Sequence, residues 1–374
     1  MKKVLFVATV VQKHINVFHL PYLKMFKDLG YQTFVAAAND TDDHDLKIQY
    51  CDEYVDINFE RNPWHAKNFS AYRKLKKLID SHEFDIIHCH TPVGGVLCRL
   101  AARKARKKGT KVLYTAHGFH FYKGAPLKNW LLYYPVEKFC SYFTDVLITI
   151  NHEDYALAKK KMKAKRIEYV PGVGIDLSRF ENVQVDRNAK RREIGVPKDA
   201  FLLISVGELS VRKNHKVIIE AIAKIANNNI HYIIAGQGDL LSELQSLAKE
   251  KGIADHVHFL GYRKDIAELY KCADICCFPS IHEGLPVALM EAMACGLPCV
   301  ASSIRGNTDL INDENGCLID TDDVDGYIEC IQKCILNSDW ANNLGQHNIE
   351  RAQNYDVCNV IKIMKSIYYD SNFL

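Results

Sequence analysis

No stretch of this 374-residue chain approaches the ~20 consecutive apolar residues that a helix needs to cross a bilayer. No small-residue cleavage site follows MKKVLFVATVVQKH, so this start reads as a first strand and not as a signal peptide. There is no Cys-x-x-Cys pair. The thirteen cysteines, an odd number, are scattered through apolar stretches, as at Cys89, Cys98, Cys276, Cys277 and Cys299. That usage predicts reduced, buried thiols of a cytoplasmic protein rather than a disulfide framework. The glycine pattern AGQGD (235–239) stops at two glycines. The G-x-G-x-x-G fingerprint needs a third for helix packing, which argues against an NAD enzyme. Nothing accompanies the basic residues that would mark nucleic-acid recognition.

What is present is the composition of a globular protein, 48% hydrophobic and 25% charged, at a length that suits two domains. The net charge of +3 hides an asymmetry. Residues 1–180 carry 29 Lys and Arg against 18 Asp and Glu, a net +11, and the remainder is −8. Two clusters hold much of the excess, RLAARKARKKGTK (99–111) and KKKMKAKR (159–166). Each by itself reads as a solvated helix face. Together they suit a surface facing anionic lipid or an acidic substrate.

Short apolar, β-branched runs alternate with helical patterns. Strands are expected at 4–10, 33–38, 54–57, 85–90, 112–117 and 146–150. A Gly/Pro cluster, VPGVGIDLSRF (170–180), and a polar segment interrupt the series. It restarts at 201–207, 231–236, 257–261, 275–280 and 298–302. Continuous apolar strands separated by helices predict parallel sheets covered on both faces. The fold class is therefore α/β, with two doubly wound, Rossmann-like domains. The expected limits are 1–175, 176–355 and a C-terminal helix within 356–374 that crosses back to the first domain. Ligands of such sheets bind at the carboxyl ends of the strands, and a cleft between two domains is the natural place.

One charge stands out in HEGLPVALMEAMACGLPCVAS (282–302). Pro286 suits a helix start, and Gly296 with Pro298 suits its end. Every residue between them is apolar except Glu291, which predicts a helix buried on all faces. An unpaired buried carboxylate costs several kcal/mol, so Glu291 requires a partner. That partner is either an internal Arg or Lys, or a ligand with paired hydroxyls. Upstream, Glu283-Gly284-Leu285-Pro286 turns into the helix. Its first turn offers free N–H groups to an anion, and Gly284 permits close approach of a ligand. Glu283, the amides and Glu291 match the order sugar, diphosphate, ribose of a nucleotide-sugar.

Two glutamates eight residues apart in PSIHEGLPVALMEAMACGLPCVAS resemble the Glu-x7-Glu signature of family-4 retaining glycosyltransferases of the GT-B fold. The resemblance extends over nearly the whole chain. It includes SVGELSVRKNH, AGQGD, HFLGYRKDIAELYKCADICCFPS and NGCLID in the second half, and HTPVGG, YTAHGFHF and VPGVGID in the first. The first half is most similar to enzymes of bacterial capsule, exopolysaccharide or lipid-linked glycan synthesis. The resemblance implies a donor site in which Glu283 touches sugar hydroxyls and Glu291 binds the ribose. Amides near Leu285, Pro286 and Val287 would hold the diphosphate, and Lys213 would neutralise the leaving phosphate. Gly236 and Gly238 would let the backbone approach the nucleotide, Tyr262 and Arg263 would lie near the base, and His117 would reach the donor sugar. The donor is expected to be a UDP-sugar, the acceptor a glycan or polyprenyl diphosphate, and no metal or other cofactor is implied.

Two departures from the family pattern matter. Glu208 stands after Gly207, where the family often has an arginine, and Arg212 would then supply the missing charge. The loop after the first strand is VVQKHIN instead of a Gly-Gly pair, which places Lys13 or His14 on the acceptor side, with His90 and Thr91. HCH (88–90) is a weak metal pair with no third ligand evident: His88 belongs in the sheet and His90 at its end. The Asp-x-Asp stretches at 40–42, 43–45 and 320–322 read as polar turns. LKNWLLYYPVEKFCSYF (127–143) supplies core aromatics for about half of its rings. The rest, with Lys123, Lys128 and Lys138, suit peripheral contact with an anionic membrane. A hexosamine epimerase of the same fold and a non-catalytic sugar-nucleotide-binding protein are the competing functions. The first would convert donor without acceptor, and the second would bind without turnover.

Overall fold

The computed structural model describes residues 1–370 except 44, 61 and 64. The chain forms two compact units, residues 1–173 with 360–374, and residues 174–359. His44, within the Asp43–Asp45 stretch, and the last four residues of the C-terminal segment lie outside the described residues.

The first unit holds a seven-stranded sheet in the order β3-β2-β1-β4-β5-β6-β7, parallel throughout. Its strands are β1 (Lys3–Val10), β2 (Gln32–Ala38), β3 (Glu53–Asp56), β4 (Ile86–His90), β5 (Lys111–Ala116), β6 (Val146–Thr149) and β7 (Arg166–Tyr169). Residues on the two faces of β1 go to different cores. Leu5 and Val7 pack with Phe34, Ile87 and Leu75, while Val4 and Phe6 pack with Phe26, Ile86 and Leu113. The helix Val357–Asp370 places Val360, Met364, Ile367 and Tyr368 in the second of these cores.

The second unit holds a six-stranded parallel sheet in the order β10-β9-β8-β11-β12-β13. Its strands are β8 (Phe201–Val206), β9 (Ile230–Ala235), β10 (Val257–Gly261), β11 (Ile275–Phe278), β12 (Cys299–Ser302) and β13 (Gly316–Ile319). Both sheets are doubly wound. In each, the strand order reverses beside the first strand of the unit, between β1 and β4 and between β8 and β11. Such reversals open a crevice at the carboxyl ends of the strands.

Three expectations need correction. Cys317 and Cys330 form a disulfide, so the thiols are not all free; the pairing follows from the packing of helix Val324–Leu336 beside β13. The basic run at 99–111 is not a uniformly solvated face. Arg99 is 0% exposed, its guanidinium pairs with Glu137 at 2.8 Å, and it lies 3.8 Å over the Tyr114 ring. Arg106 is likewise committed to Asp145. Strands β7 and β13 were not anticipated as strands; both are sheet edges with only partial burial.

Candidate functional site

In the second unit, the loops after β8 and β11 meet over the strand reversal. The turn Val211–Lys213 and Asn214, at φ +52°, bring Lys213 back over the end of β8. The backbone N–H of Ile281 donates to the Arg212 carbonyl at 2.8 Å and ties the two loops. One oxygen of Glu283, Oε1, accepts from Lys213 Nζ at 2.8 Å and from Arg212 Nη1 at 2.7 Å. Lys213 is buried, with its ammonium 4.5 Å from the centre of the Phe278 ring. Burial pulls its pKa down, and the Glu283 carboxylate opposes that pull. The site therefore keeps a desolvated cation whose counter-charge uses one carboxylate oxygen.

A third cation escaped the sequence reading. Arg305, 6% exposed, donates to the Glu283 carbonyl at 3.2 Å and to His282 Nε2 at 2.7 Å. A guanidinium can only donate, so His282 Nε2 accepts and that ring is neutral. The only signal was a charge in SSIRGN after β12, and nothing local shows that it folds beneath the Glu283 loop.

The helix Val287–Ala294 follows with Pro286 as its N-cap, and Gly296 at φ +78° ends it. Pro286 has no N–H, so it contributes no amide to an anion. The first intrahelical bond is Met290 N–H to the Pro286 carbonyl, which leaves the N–H groups of Val287, Ala288 and Leu289 ahead of the ladder. Nor is this helix buried all round. Val287, Ala288 and Glu291 are half-buried, while Leu289, Met290, Ala292, Met293 and Ala294 are buried. Spacings of three and four put the half-buried three on one face. The Glu291 carboxylate has no hydrogen bond or ion pair among the described residues; its backbone carbonyl accepts from the Cys295 N–H. Burial raises its pKa to about 7, against a weaker opposing pull from Arg179.

Glycines bring the loops together. A Cβ on Gly236 would sit 1.8 Å from the Gly207 carbonyl oxygen, and one on Gly238 would sit 2.3 Å from that of Leu209. A Cβ on Gly207 would press on the Lys213 side chain at 2.9 Å. Beneath these loops a buried chain of hydrogen bonds runs from the Glu208 carbonyl through His215, Tyr232 and Ser205 to the Cys277 carbonyl. Burial lowers the His215 pKa to about 4, and a neutral imidazole has a single N–H to share between the Glu208 carbonyl and the Tyr232 hydroxyl. Tyr262 is exposed, and the Arg263 guanidinium is held by Asp265 and Glu193.

In the first unit, the ends of β1, β4 and β5 gather His14, His90 and His117, with His19 from the segment after β1. Thr91 adopts φ +62°, uncommon for a β-branched residue, and its hydroxyl is 2.6 Å from that of Thr9. A cavity of about 510 Å³ lies alongside, lined by Thr9, Lys13, His14, Thr91, Tyr133 and Glu137 among others. Asp40 holds the loop by accepting from the N–H groups of Gln12 (2.6 Å) and Lys13 (3.3 Å). His88 is in the sheet, bonded to Tyr368 and Thr115. His90 does not stand alone at its strand end, which corrects the view that HCH lacks further partners of its kind. Burial lowers the pKa of His14 to about 4 and those of His88 and His117 to about 3.

Comparison with known proteins follows the same division. The model of "Glycosyl transferase 4-like" proteins matches residues 3–151, and that of "Glycosyl transferases group 1" matches residues 186–351. EpsD of Bacillus subtilis strain 168, a protein assigned to the glycosyltransferases, is 44% identical over 372 residues, 98% of this chain and 96% of its own. The Escherichia coli UDP-Gal:alpha-D-GlcNAc-diphosphoundecaprenol alpha-1,3-galactosyltransferase is 28% identical over 94% of this chain and 95% of its own. Among solved structures, Anabaena Alr3699/HepE in complex with UDP superposes with a TM-score of 0.82 at 20% identity, over 99% of this chain and 100% of that one.

Proposed function

The chain belongs to the family-4 glycosyltransferases of the GT-B fold, and from that premise we propose that it moves a hexose or N-acetylhexosamine from a UDP-sugar to a lipid-linked glycan, with retention of configuration. The observation that carries this reading is the run from Glu283 to Glu291. A carboxylate with one oxygen free of Lys213 and Arg212 stands at the mouth. Three N–H groups precede the helical ladder, and a carboxylate without a protein partner lies one turn further on the same open face. Glu283 would take donor-sugar hydroxyls, the helix start and Lys213 the diphosphate, and Glu291 the ribose 2′- and 3′-hydroxyls. Relatives support the substrate classes: a UDP-bound neighbour shares the fold, and the Escherichia coli relative acts, by its name, on a diphosphoundecaprenol-linked sugar.

The leaving diphosphate develops charge as the glycosidic bond breaks. Lys213, Arg212 and Arg305 place three cations at or beneath the Glu283 loop. Preorganised charge is worth most in the transition state where water is scarce, as at the buried Lys213 and Arg305; Arg212 is exposed. In this reading the three cations take the place of a metal at the donor phosphates. In the retaining reaction the acceptor hydroxyl attacks from the face the diphosphate leaves, and a phosphate oxygen takes its proton. His117 would contact the transferred sugar, and Lys13, His14, His90 and Thr91 the acceptor side. The exposed apolar face of helix Leu127–Ser141 would rest on the membrane that presents the acceptor.

The deciding experiment is calorimetric binding of UDP, GDP and NAD without added metal, to wild type and to Glu291→Ala. UDP binding that the substitution abolishes is the expected result. GDP binding in its place replaces the donor and leaves the fold untouched. Binding of neither nucleotide overturns the donor-site assignment.

A further inference from the structure

The four histidines of the first unit have more capacity than the protein uses. His14, His19, His90 and His117 each place one ring nitrogen so that all four lie within 4.8 Å of one another. His19 is 1% exposed and His90 is 2% exposed. Both nitrogens of His19, Nε2 of His90 and Nε2 of His14 have no hydrogen-bond partner among the described residues. Buried polar atoms are nearly always satisfied, so four in one cluster call for an explanation.

Ring stacking does not supply it. His19 and His90 have centroids 3.9 Å apart, and Phe6 stacks on His90. These contacts cover the ring faces, whereas the nitrogen lone pairs lie in the ring plane. The one internal hydrogen bond, His90 Nδ1 to His117 Nε2 at 3.3 Å, leaves those four nitrogens unmet. His88 makes the contrast clear. It is as deeply placed, yet both of its nitrogens are bonded, to Tyr368 at 2.6 Å and Thr115 at 2.8 Å. The surroundings can satisfy an imidazole, and in the four-histidine group they do not.

The geometry points to a binding site for a late first-row divalent cation, zinc being the default, held by His14, His19, His90 and His117. Neutral imidazoles suit such ions, while magnesium and calcium require oxygen. With metal–nitrogen distances of about 2.0–2.1 Å, tetrahedral ligands lie about 3.4 Å apart. The farthest pair must then close by about 1.4 Å, within reach of side-chain rotation. The scaffold is suited to it. His90 ends β4, His117 follows β5, and His14 sits in the π-helical turn Val11–Ile15 after β1, so three adjacent strands converge at the sheet's reversal point. The ion would fix the β1 loop against the ends of β4 and β5. Every ligand belongs to the first unit, and His14, His90 and His117 are also the groups assigned above to the acceptor side and the transferred sugar.

The test is a titration of the full chain with Co²⁺ and, separately, Zn²⁺, in a Cys358→Ser background because Cys358 is an exposed thiol. One equivalent of Co²⁺ should give the visible bands of a tetrahedral complex, without a sulfur-to-cobalt charge-transfer band. Zn²⁺ should displace it and raise Tm up to one equivalent. His19→Ala and His90→Ala should lose both effects, and His347→Ala, in the second unit, should keep them. If a core variant fails to fold, His14→Ala tests the same set from a half-buried position. Absence of saturable binding by the unsubstituted histidine set, thiolate bands, or binding undiminished by the His14 or His19 change would each overturn the site. In those cases the orphan nitrogens are met by water.

Discussion

Glu291 holds its proton to about pH 7 because burial penalises the carboxylate and only Arg179 offers relief. A folded-state pKa above the ordinary 4.5 means that the native state binds the extra proton between those values. Its contribution is full below pH 4.5 and is lost as pH rises toward 7, by up to about 3 kcal/mol. The buried histidines act with the opposite sign below pH 6.5, so the informative quantity is the difference between wild type and Glu291→Gln. Denaturant midpoints should show the variant gaining stability relative to wild type from pH 4.5 to 7. Two ribose hydroxyls donating to Glu291 would favour its ionised form. UDP binding near pH 7 should therefore release a fraction of a proton, measurable as a buffer-dependent heat and absent in Glu291→Gln. A heat independent of buffer in wild type would remove the ribose from Glu291. Beside it, Glu283→Ala and Lys213→Ala should each lower kcat by about 10²–10³-fold, the scale of lost preorganised charge stabilisation. Glu283→Ala also leaves Lys213 buried without its carboxylate, so Tm should fall as well. Turnover like wild type in either variant, followed by product formation, would sink the donor-site roles. The two glutamates were legible because a charge in an apolar run demands a partner. Arg305 and His19 were not, because each acquires its surroundings from segments distant in sequence.

The loops over the second sheet are fitted backbone to backbone, and Gly236 is the tightest point. Its Cβ would overlap the Gly207 carbonyl, a main-chain atom that cannot swing away as a side chain can. Gly236→Ala should cost about 2–3 kcal/mol, in the range of overpacking, and weaken UDP binding at the same time by displacing the β8 loop that carries Lys213. Gly252→Ala is the control. It meets open space and pays only for its positive φ, about 1 kcal/mol. Thermal melts and UDP titrations of the two variants check the difference, and equal losses would show that the loop contact is unimportant. At this scale the central strands were legible from continuous apolar runs, since a strand covered on both faces has little use for polar residues. The edges β7 and β13 were not. RIEY alternates charge and GCLI opens on glycine, which an edge strand tolerates because one side bears no partner. The helix Val287–Ala294 misled in the other direction. Its lack of polar residues suggested complete burial, but one face is left partly open at Val287, Ala288 and Glu291.

Charge is unevenly divided along the molecule, +11 over residues 1–180 and −8 over residues 181–374. The basic part also carries, among the described residues, the helix with the most exposed large apolar side chains. On Leu127–Ser141, Leu127, Leu131, Val136 and Phe139 project to solvent, with Leu131 70% and Phe139 53% exposed, and Tyr142 follows the helix end. Trp130, Tyr133 and Tyr134 of the same helix pack on the core, so the aromatic run divides into an inner and an outer set as its composition suggested. No helix among the described residues is long and apolar enough to cross a membrane. An apolar helix face flanked by Lys123, Lys128 and Arg103 suits a bilayer interface instead. There each basic group near an anionic leaflet is worth about 1 kcal/mol and each large apolar side chain fully withdrawn from water about 1.5–3. In flotation with anionic vesicles, wild type should rise with the lipid at low salt. Leu131→Ser with Phe139→Ser should weaken this by about tenfold or more, given 1.4 kcal/mol per decade. Raising the salt should weaken wild type and variant alike, because screening acts on the charges and leaves the apolar contribution in place. Binding that salt abolishes and the serine pair does not affect would make the contact purely electrostatic. No flotation at low salt would mean that the outer face of this helix meets something other than lipid.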